Sequence, residues 1–244
     1  MSDPERPPPS LPIWQRPERA SRGPVPEHSR AAISAAAVAL ADAEGLAATT
    51  MRRVATAIGT APASLYRYLA NRDELLALMA DTAISEISLT DLPSGVGWRA
   101  DVLALAGRLQ ALYRRHPWLI DLAGLGPGRY GPATVDYLEG GVAALSELNV
   151  PARTKLEAVA MLTGMVGLFV RDELAGGNVS EEAQAANAAY LGSIVAAGNH
   201  PHLAAVMVQA AADPTAGGAP DPGELFQRVV LGVMSGLLTP TSLP

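Results

Sequence analysis

The chain has 244 residues, enough for a full-sized core, and 49% of them are apolar, which excludes a disordered chain. It contains no cysteine, so disulfides, thiol redox chemistry and cysteine metal sites are excluded. The net charge of −6 hides an asymmetry, because Arg16 to Arg72 carries eight arginines against four acids, whereas Asp73 onward carries nine basic and eighteen acidic residues. A small basic head on an acidic body is the charge footprint of a polyanion-binding module joined to something else.

Residues 1–27 are dense in proline and arginine without hydrophobic periodicity, and are expected to form a mobile arm. Helical spacing begins near Ser29, where Ile33, Ala36, Ala37, Leu40 and Ala41 fall on one face and Gly45 supplies a stop. A second helix starts after Thr49 or Thr50, with Met51, Val54, Ala55 and Ile58 at i, i+3, i+4 and i+7, and ends at Gly59. A third starts at once, with Thr60 as its expected N-cap, Pro62 in its first turn and Leu65 and Leu69 facing the core. Asn71 then caps a fourth helix, with Glu74 as capping-box partner and a stripe of Leu75, Leu76, Met79, Ala83 and Ile87.

Pro93 to Gly97 breaks the chain. Further helices are expected at 98–115, 118–124, 131–148, 152–174, 181–197 and 223–238, with Asp213 to Pro222 as a linker. No run alternates with period two between hairpin turns, so the fold class is all-α.

The second and third helices are separated only by Gly59-Thr60, which is the size and turn chemistry of a helix-turn-helix. In such a unit the second helix enters the DNA major groove. Thr60, Ser64, Tyr66, Arg67 and Tyr68 are its expected exposed groups, and Ala61 and Ala63 keep its surface slim enough to touch thymine methyls. The bland alternatives are that Tyr66 packs on the fourth helix and that Arg53 pairs with an acid.

The stretch from Ala31 to Met79 closely resembles the TetR family of transcriptional regulators. The resemblance is carried by Ala43-Glu-Gly-Leu46, Thr50-Met-Arg-Arg-Val-Ala-Thr-Ala-Ile-Gly59, Ala63-Ser-Leu-Tyr-Arg-Tyr68 and Asn71-Arg-Asp-Glu-Leu-Leu76. It implies a three-helix DNA-binding domain at 28–75 and a helical-bundle domain at 76–244 for ligand binding and dimerisation. It also implies that Arg52 reaches a base or phosphate, that Thr60, Ser64, Tyr66 and Tyr68 line the DNA face, and that Arg72 meets phosphate. The helix at Thr60-Ala-Pro-Ala63 offers fewer hydrogen-bonding side chains than many relatives have, so base readout is expected to lean on Arg52, Arg67 and DNA shape. His116-Pro-Trp118 resembles one subgroup of the family's C-terminal domains.

Residues 152–174 read as a helix apolar almost all round, which must pack on both faces. The last helix is similar, with Gly232 and Gly236 four apart. Together they are expected to form a homodimer interface through Val166, Val170, Val229, Val233 and Gly236. Tyr113, His116, Trp118, Tyr137, Met161, Met165 and Phe169 are the candidate lining of a pocket for a small, mostly apolar effector, with ordinary core packing as the alternative.

Other functions find little support. There is no Gly-rich phosphate loop, no Gly-x-Ser-x-Gly and no His-Glu-x-x-His, so no enzyme is expected. His200-Pro-His202 has the spacing of a metal pair but sits in an expected loop without nearby acids, so no metal or other cofactor is expected. The longest uncharged apolar run, Ala158 to Val170, is thirteen residues, short of the roughly 20 that a membrane span needs. With no apolar signal core at the N-terminus, a cytoplasmic regulator bound to operator DNA is the expectation, and an activator is the alternative to a repressor.

Overall fold

The computed structural model describes residues 12–16, 28–122, 130–176, 180–212 and 221–239. They form eleven α-helices and no strand among the described residues. The head comprises α1 (Arg30–Glu44), α2 (Met51–Ala57) and α3 (Pro62–Leu65). Helix α4 (Arg72–Ile84) leads into the body of α5 (Trp98–Arg115), α6 (Leu119–Leu122), α7 (Pro132–Ala144), α8 (Ala152–Gly176), α9 (Glu181–Ala196), α10 (Pro201–Ala212) and α11 (Pro222–Leu238).

Caps set the head's helix boundaries. The Ser29 hydroxyl accepts from Ala32 N at 3.0 Å, and the Thr50 hydroxyl from Arg53 N at 3.3 Å. Each satisfies a backbone donor that the first turn leaves free. Gly59 sits at φ 74°, a left-handed conformation that a side chain would strain, and it turns the chain sharply from α2 into α3. The N-cap of α3 is Ala61 rather than the expected Thr60, and Thr60 N closes the turn onto Ala55 O at 2.9 Å. Helical turns continue past α3 to Leu69, whose N–H reaches Leu65 O at 3.0 Å.

Leu75 to Met79 are five consecutive buried residues in α4. A helix buried on every side must be gripped on every side. Helix α1 packs on one flank of α4, and α6 and α7 pack on the other. The body core is built from α5, α7, α8 and α11. Close approach of α7 and α8 depends on Gly141, where a methyl would stand 2.8 Å from Val159 Cγ2. Phe169 of α8 meets Phe226 of α11 edge to face, with ring centroids 5.3 Å apart.

Four expectations need correction. Within the segment read as a mobile arm, Pro12 to Arg16 is a docked strap: Ile13 is buried, and Arg30 Nη1 donates to the carbonyls of Ile13 and Arg16 at 2.9 and 2.7 Å. Most of residues 1–27 lie outside the described set, as do 213–220 of the expected linker, and Pro222 is the first residue of α11. His200 to His202 is no loop, since Pro201 opens α10. Finally, Val166 and Val170 are fully enclosed by their own chain and are not available to a partner. The outward face of α8 carries Met161, Gly164 and Leu168 instead, with Leu168 66% exposed.

That orientation has a direct test. Val166→Asp places an unpaired carboxylate in an enclosed apolar site, at a cost of several kcal/mol. The expected outcome is a large fall in the thermal midpoint followed by circular dichroism, and an unchanged midpoint would mean that α8 is turned the other way.

Candidate functional site

The exposed face of α2 and α3 gathers most of the polar groups singled out from the sequence. Arg52, Ala61, Tyr66, Arg67 and Arg72 are exposed, with Tyr66 at 57%, and Thr60 and Ser64 are half-buried. Tyr68 is the exception. It is buried against the head core, with only its backbone carbonyl offered to Arg30 Nε at 3.3 Å, so its expected place on the exposed face is corrected. Leu65 and Leu69, on the opposite side of this short segment, are fully buried, which forces Tyr66 and Arg67 outward.

The arginines of this face are not equivalent. Arg53 forks onto Glu44, with Nη1 2.7 Å from Oε2, and this guanidinium holds the Glu44 carboxyl below its usual range, chiefly through the hydrogen bond. Arg53 is therefore occupied within the head. Arg72 Nη2 leans on Leu46 O at 3.4 Å, which places its charge beside the start of α4. Arg52 and Arg67 have no ion-pair partner among the described residues, so their charge is available to an external anion. Asn71 Oδ1 accepts from Glu74 N at 2.9 Å as expected. Glu74 turns its carboxylate back to Ala70 N at 2.7 Å and to Arg16 of the strap.

The head is joined to the body by two carboxylates that sequence reasoning did not single out, Asp81, which is buried, and Asp42, which is exposed. Asp81, 8% exposed and in the last turn of α4, accepts from Thr134 N at 2.9 Å, Thr134 Oγ1 at 3.0 Å and Ala133 N at 3.3 Å. It thus caps α7 from a different helix, where the positive end of the helix dipole favours an anion. A methyl on Gly131 would overlap this carboxylate, so the close approach requires glycine. A second junction joins Asp42 of α1 to His116 and Trp118. Both were expected to line a pocket, yet both face the head: Asp42 Oδ1 lies 2.7 Å from His116 Nδ1 and accepts from Trp118 Nε1 at 2.6 Å. Neither junction leaves a spacing signal in the sequence, because the partners are more than fifty residues apart.

The remaining pocket candidates divide. Tyr113 and Tyr137 are buried in the body, and burial raises both phenols, Tyr137 to about 12. The Tyr137 hydroxyl pairs with Thr163 Oγ1 at 2.9 Å. Met165 and Phe169 are half-buried beside them on α8, whereas Met161 is 51% exposed on the outer face. Among the described residues no group of His, Asp or Glu could hold a metal, and no helix is long and apolar enough to cross a membrane.

Comparison with known proteins bears on both halves. Residues 33–79 match the model of bacterial regulatory proteins of the tetR family, and residues 91–237 match that of the tetracyclin repressor-like C-terminal domain. The HTH-type transcriptional repressor DrrR1 of Streptomyces coeruleorubidus is 36% identical over 203 residues, covering 80% of this chain and 74% of that protein. Apo ActR of Streptomyces coelicolor superposes with a TM-score of 0.69 at 25% identity, covering 87% of this chain and 98% of that one. ActR is also known in complex with actinorhodin. BioQ with its double-stranded DNA operator superposes with a TM-score of 0.54 at 25% identity, covering 61% and 89% of the two chains.

The Asp81 cap can be tested without any ligand. Gly131→Ala should displace the carboxylate and lose about 0.5–2 kcal/mol of stability, the usual range for a lost N-cap. Urea unfolding reads this out, and a midpoint equal to wild type would contradict the cap.

Proposed function

The chain belongs to the tetR family of bacterial regulatory proteins and is a transcriptional regulator; we propose that it is a homodimeric repressor, released from a palindromic operator by a small, mostly apolar effector. The observation that carries this reading is the exposed face of α2 and α3, where Arg52 and Arg67 have no acidic partner among the described residues. The surface is basic and narrow, suited to the major groove of a polyanion. Arg52 and Arg67 reach base edges or phosphates, Thr60, Ala61, Ser64 and Tyr66 line the groove, and Arg72 neutralises a phosphate beside the start of α4. Similarity to a repressor and to an operator-bound relative supports the assignment.

Two copies are needed because one head covers only one half-site. Helices α8 and α11 pack on each other within the chain. Met161, Gly164 and Leu168 on α8 continue into Val229, Gly232, Val233 and Gly236 on α11. The glycines allow close helix approach, and the stripe forms half of a four-helix interface.

The effector enters between α5, α7, α8 and α11, where Tyr113, Tyr137, Met165 and Phe169 supply aromatic and soft apolar surface. A flat aromatic molecule fits this lining, as the actinorhodin complex of the ActR relative illustrates for that protein. Its entry parts α7 from α5 and α8. Because α7 is capped by Asp81, the movement is delivered to α4, which carries the head. Only one separation of the two heads fits successive major grooves, so the tilt lowers affinity. The two sites are then coupled reciprocally, typically by 1–3 kcal/mol.

Selection from a random duplex library at moderate salt tests the reading. A two-fold symmetric site should be enriched, its half-sites one or more helical turns apart, with affinity falling steeply as salt rises. Arg52→Ala should relax one base preference by about 1–3 kcal/mol, while Arg72→Ala weakens all duplexes alike. Recovery of no preferred sequence would sink the proposal. Separately, Leu168→Asp should convert the dimer to a helical monomer in sedimentation, whereas a dimer persisting at micromolar concentration would move the interface elsewhere.

A further inference from the structure

Helix α4 fixes the head to the body along a single axis. Rotation of the head about that helix requires repacking along it, and a second contact away from the axis restricts the rotation further. The Asp42 cluster is such a contact. Asp42 stands in the last turn of α1, and Glu86 follows α4. His116, 4% exposed, presents Nδ1 to Asp42 Oδ1 at 2.7 Å and Nε2 to Glu86 Oε1 at 3.2 Å. Trp118 adds its indole N–H to the same Asp42 oxygen at 2.6 Å, and its ring meets the His116 ring edge to face at 5.8 Å. Arg115 Nη1 lies 2.8 Å from Glu86 Oε2, completing the charge pairing. Charge-assisted bonds of this kind are directional, so they hold an angle as well as a distance.

The other side of the same turn is fastened to the body. Tyr113 and Ile120, which bracket His116 to Trp118, stand 3.6 and 3.5 Å from the position a methyl would take on Gly167 of α8. Arg171 of α8 pairs with Asp121 at 2.8 Å, and Glu173 of α8 pairs with Arg114 at 2.9 Å. The turn between α5 and α6 therefore lies between α8, which flanks the body interior, and α1, which braces the head. Any displacement of α5 against α8 moves this turn, and Asp42 either follows it or lets go. His116 and Trp118 are buried, so a half-made bond leaves their N–H groups without a partner, and this favours discrete alternatives over gradual deformation.

We propose that the turn His116 to Trp118 is a positioning element through which the body sets the angle of the DNA-binding head, with Asp42 as its receiving group. The inference rests on the reading of the chain as a DNA-binding dimer. It assigns no DNA or effector contact to these residues. They act on binding only by fixing where each head of the dimer points. Unlike the Asp81 cap, which acts along α4, this contact acts on α1 and governs rotation about α4.

The absence of native cysteine makes the test direct. Ala57→Cys, at the exposed end of α2, accepts a spin label, and the distance between the two heads of the dimer is read by pulsed dipolar spectroscopy. The labelled parent should give one narrow distance. Asp42→Ala and Trp118→Phe should each broaden it, and should lower affinity for the selected operator by about tenfold, within the usual range of coupling, while leaving affinity for an unrelated duplex unchanged. Asp42→Asn keeps an oxygen for the Trp118 indole and should restore most of both properties. Trp118→Phe removes the indole N–H while keeping an aromatic ring at this position, and so reports even if Asp42→Ala folds poorly. If both variants keep the parent's distance distribution and its ratio of operator to unrelated-duplex affinity, whatever their melting temperatures, the cluster is only a structural contact and the proposal is overturned. A parent that shows no operator preference or no distance between heads instead removes the reading underneath, so the two failures are told apart.

Discussion

Leu75 to Met79 present no side to solvent, and a helix so enclosed cannot turn without repacking everything it touches. This constraint on α4 organises the protein. The head lacks enough apolar surface to stand apart, since Ile33, Ala37 and Ala41 of α1 are buried in the layer that α4 completes. The other flank of α4 belongs to the body, where α7 rests on the Asp81 carboxylate. Head and body are thus not two domains on a flexible tether. They share a helix, and any change of shape in one is a change of environment for the other. Close-packed interiors respond to such strain by shifting between arrangements rather than by deforming smoothly.

Electrostatics are divided along the same line. Within the head, three acids are engaged away from the outer face: Glu44 holds Arg53, Glu74 holds Arg16, and Asp42 accepts from Trp118. Arg52 and Arg67 have no ion-pair partner among the described residues. The same three carboxylates tie down the end of α1, the N-terminal strap and the head–body junction. An acidic body with net repulsion for a polyanion also limits DNA contact to the head, which fixes the orientation of any complex.

Much of this was legible from local chemistry. Asn71 announces its helix because a short polar side chain before an apolar stripe has one good use, and it accepts a backbone N–H as expected; of Thr49 and Thr50 it is Thr50 that caps, and Ser29 and Asp221 cap their helices in the same way. Gly59 reads correctly for a different reason, since the sharp turn needs the left-handed backbone that glycine adopts without strain. Tyr68 did not, since an aromatic residue on a short helix can serve either face and only the tertiary packing of Leu69 and α1 decides. Helix α10 was missed because Ala204 to Ala212 is apolar or alanine nearly throughout, leaving no polar face from which to read a period. Val166 and Val170 were placed in the dimer seam because a helix apolar all round does not say which face meets its own chain. Asp42, Asp81 and His116 are tertiary partners separated by long stretches of sequence, and a single sequence carries no trace of such pairing.

The central claim is that binding at the outer face of the head is felt in the body through α4 and the junctions beside it. Hydrogen–deuterium exchange of the intact dimer, with and without a selected operator duplex, tests it most directly. The expected result is slower exchange in α2 and α3, and also at Ala133 to Val135 of α7 and at His116 to Trp118, which touch no DNA and are reached only through Asp81 and Asp42. Slowing confined to the head, with the α7 start and the α5–α6 turn exchanging as in the free protein, would contradict it.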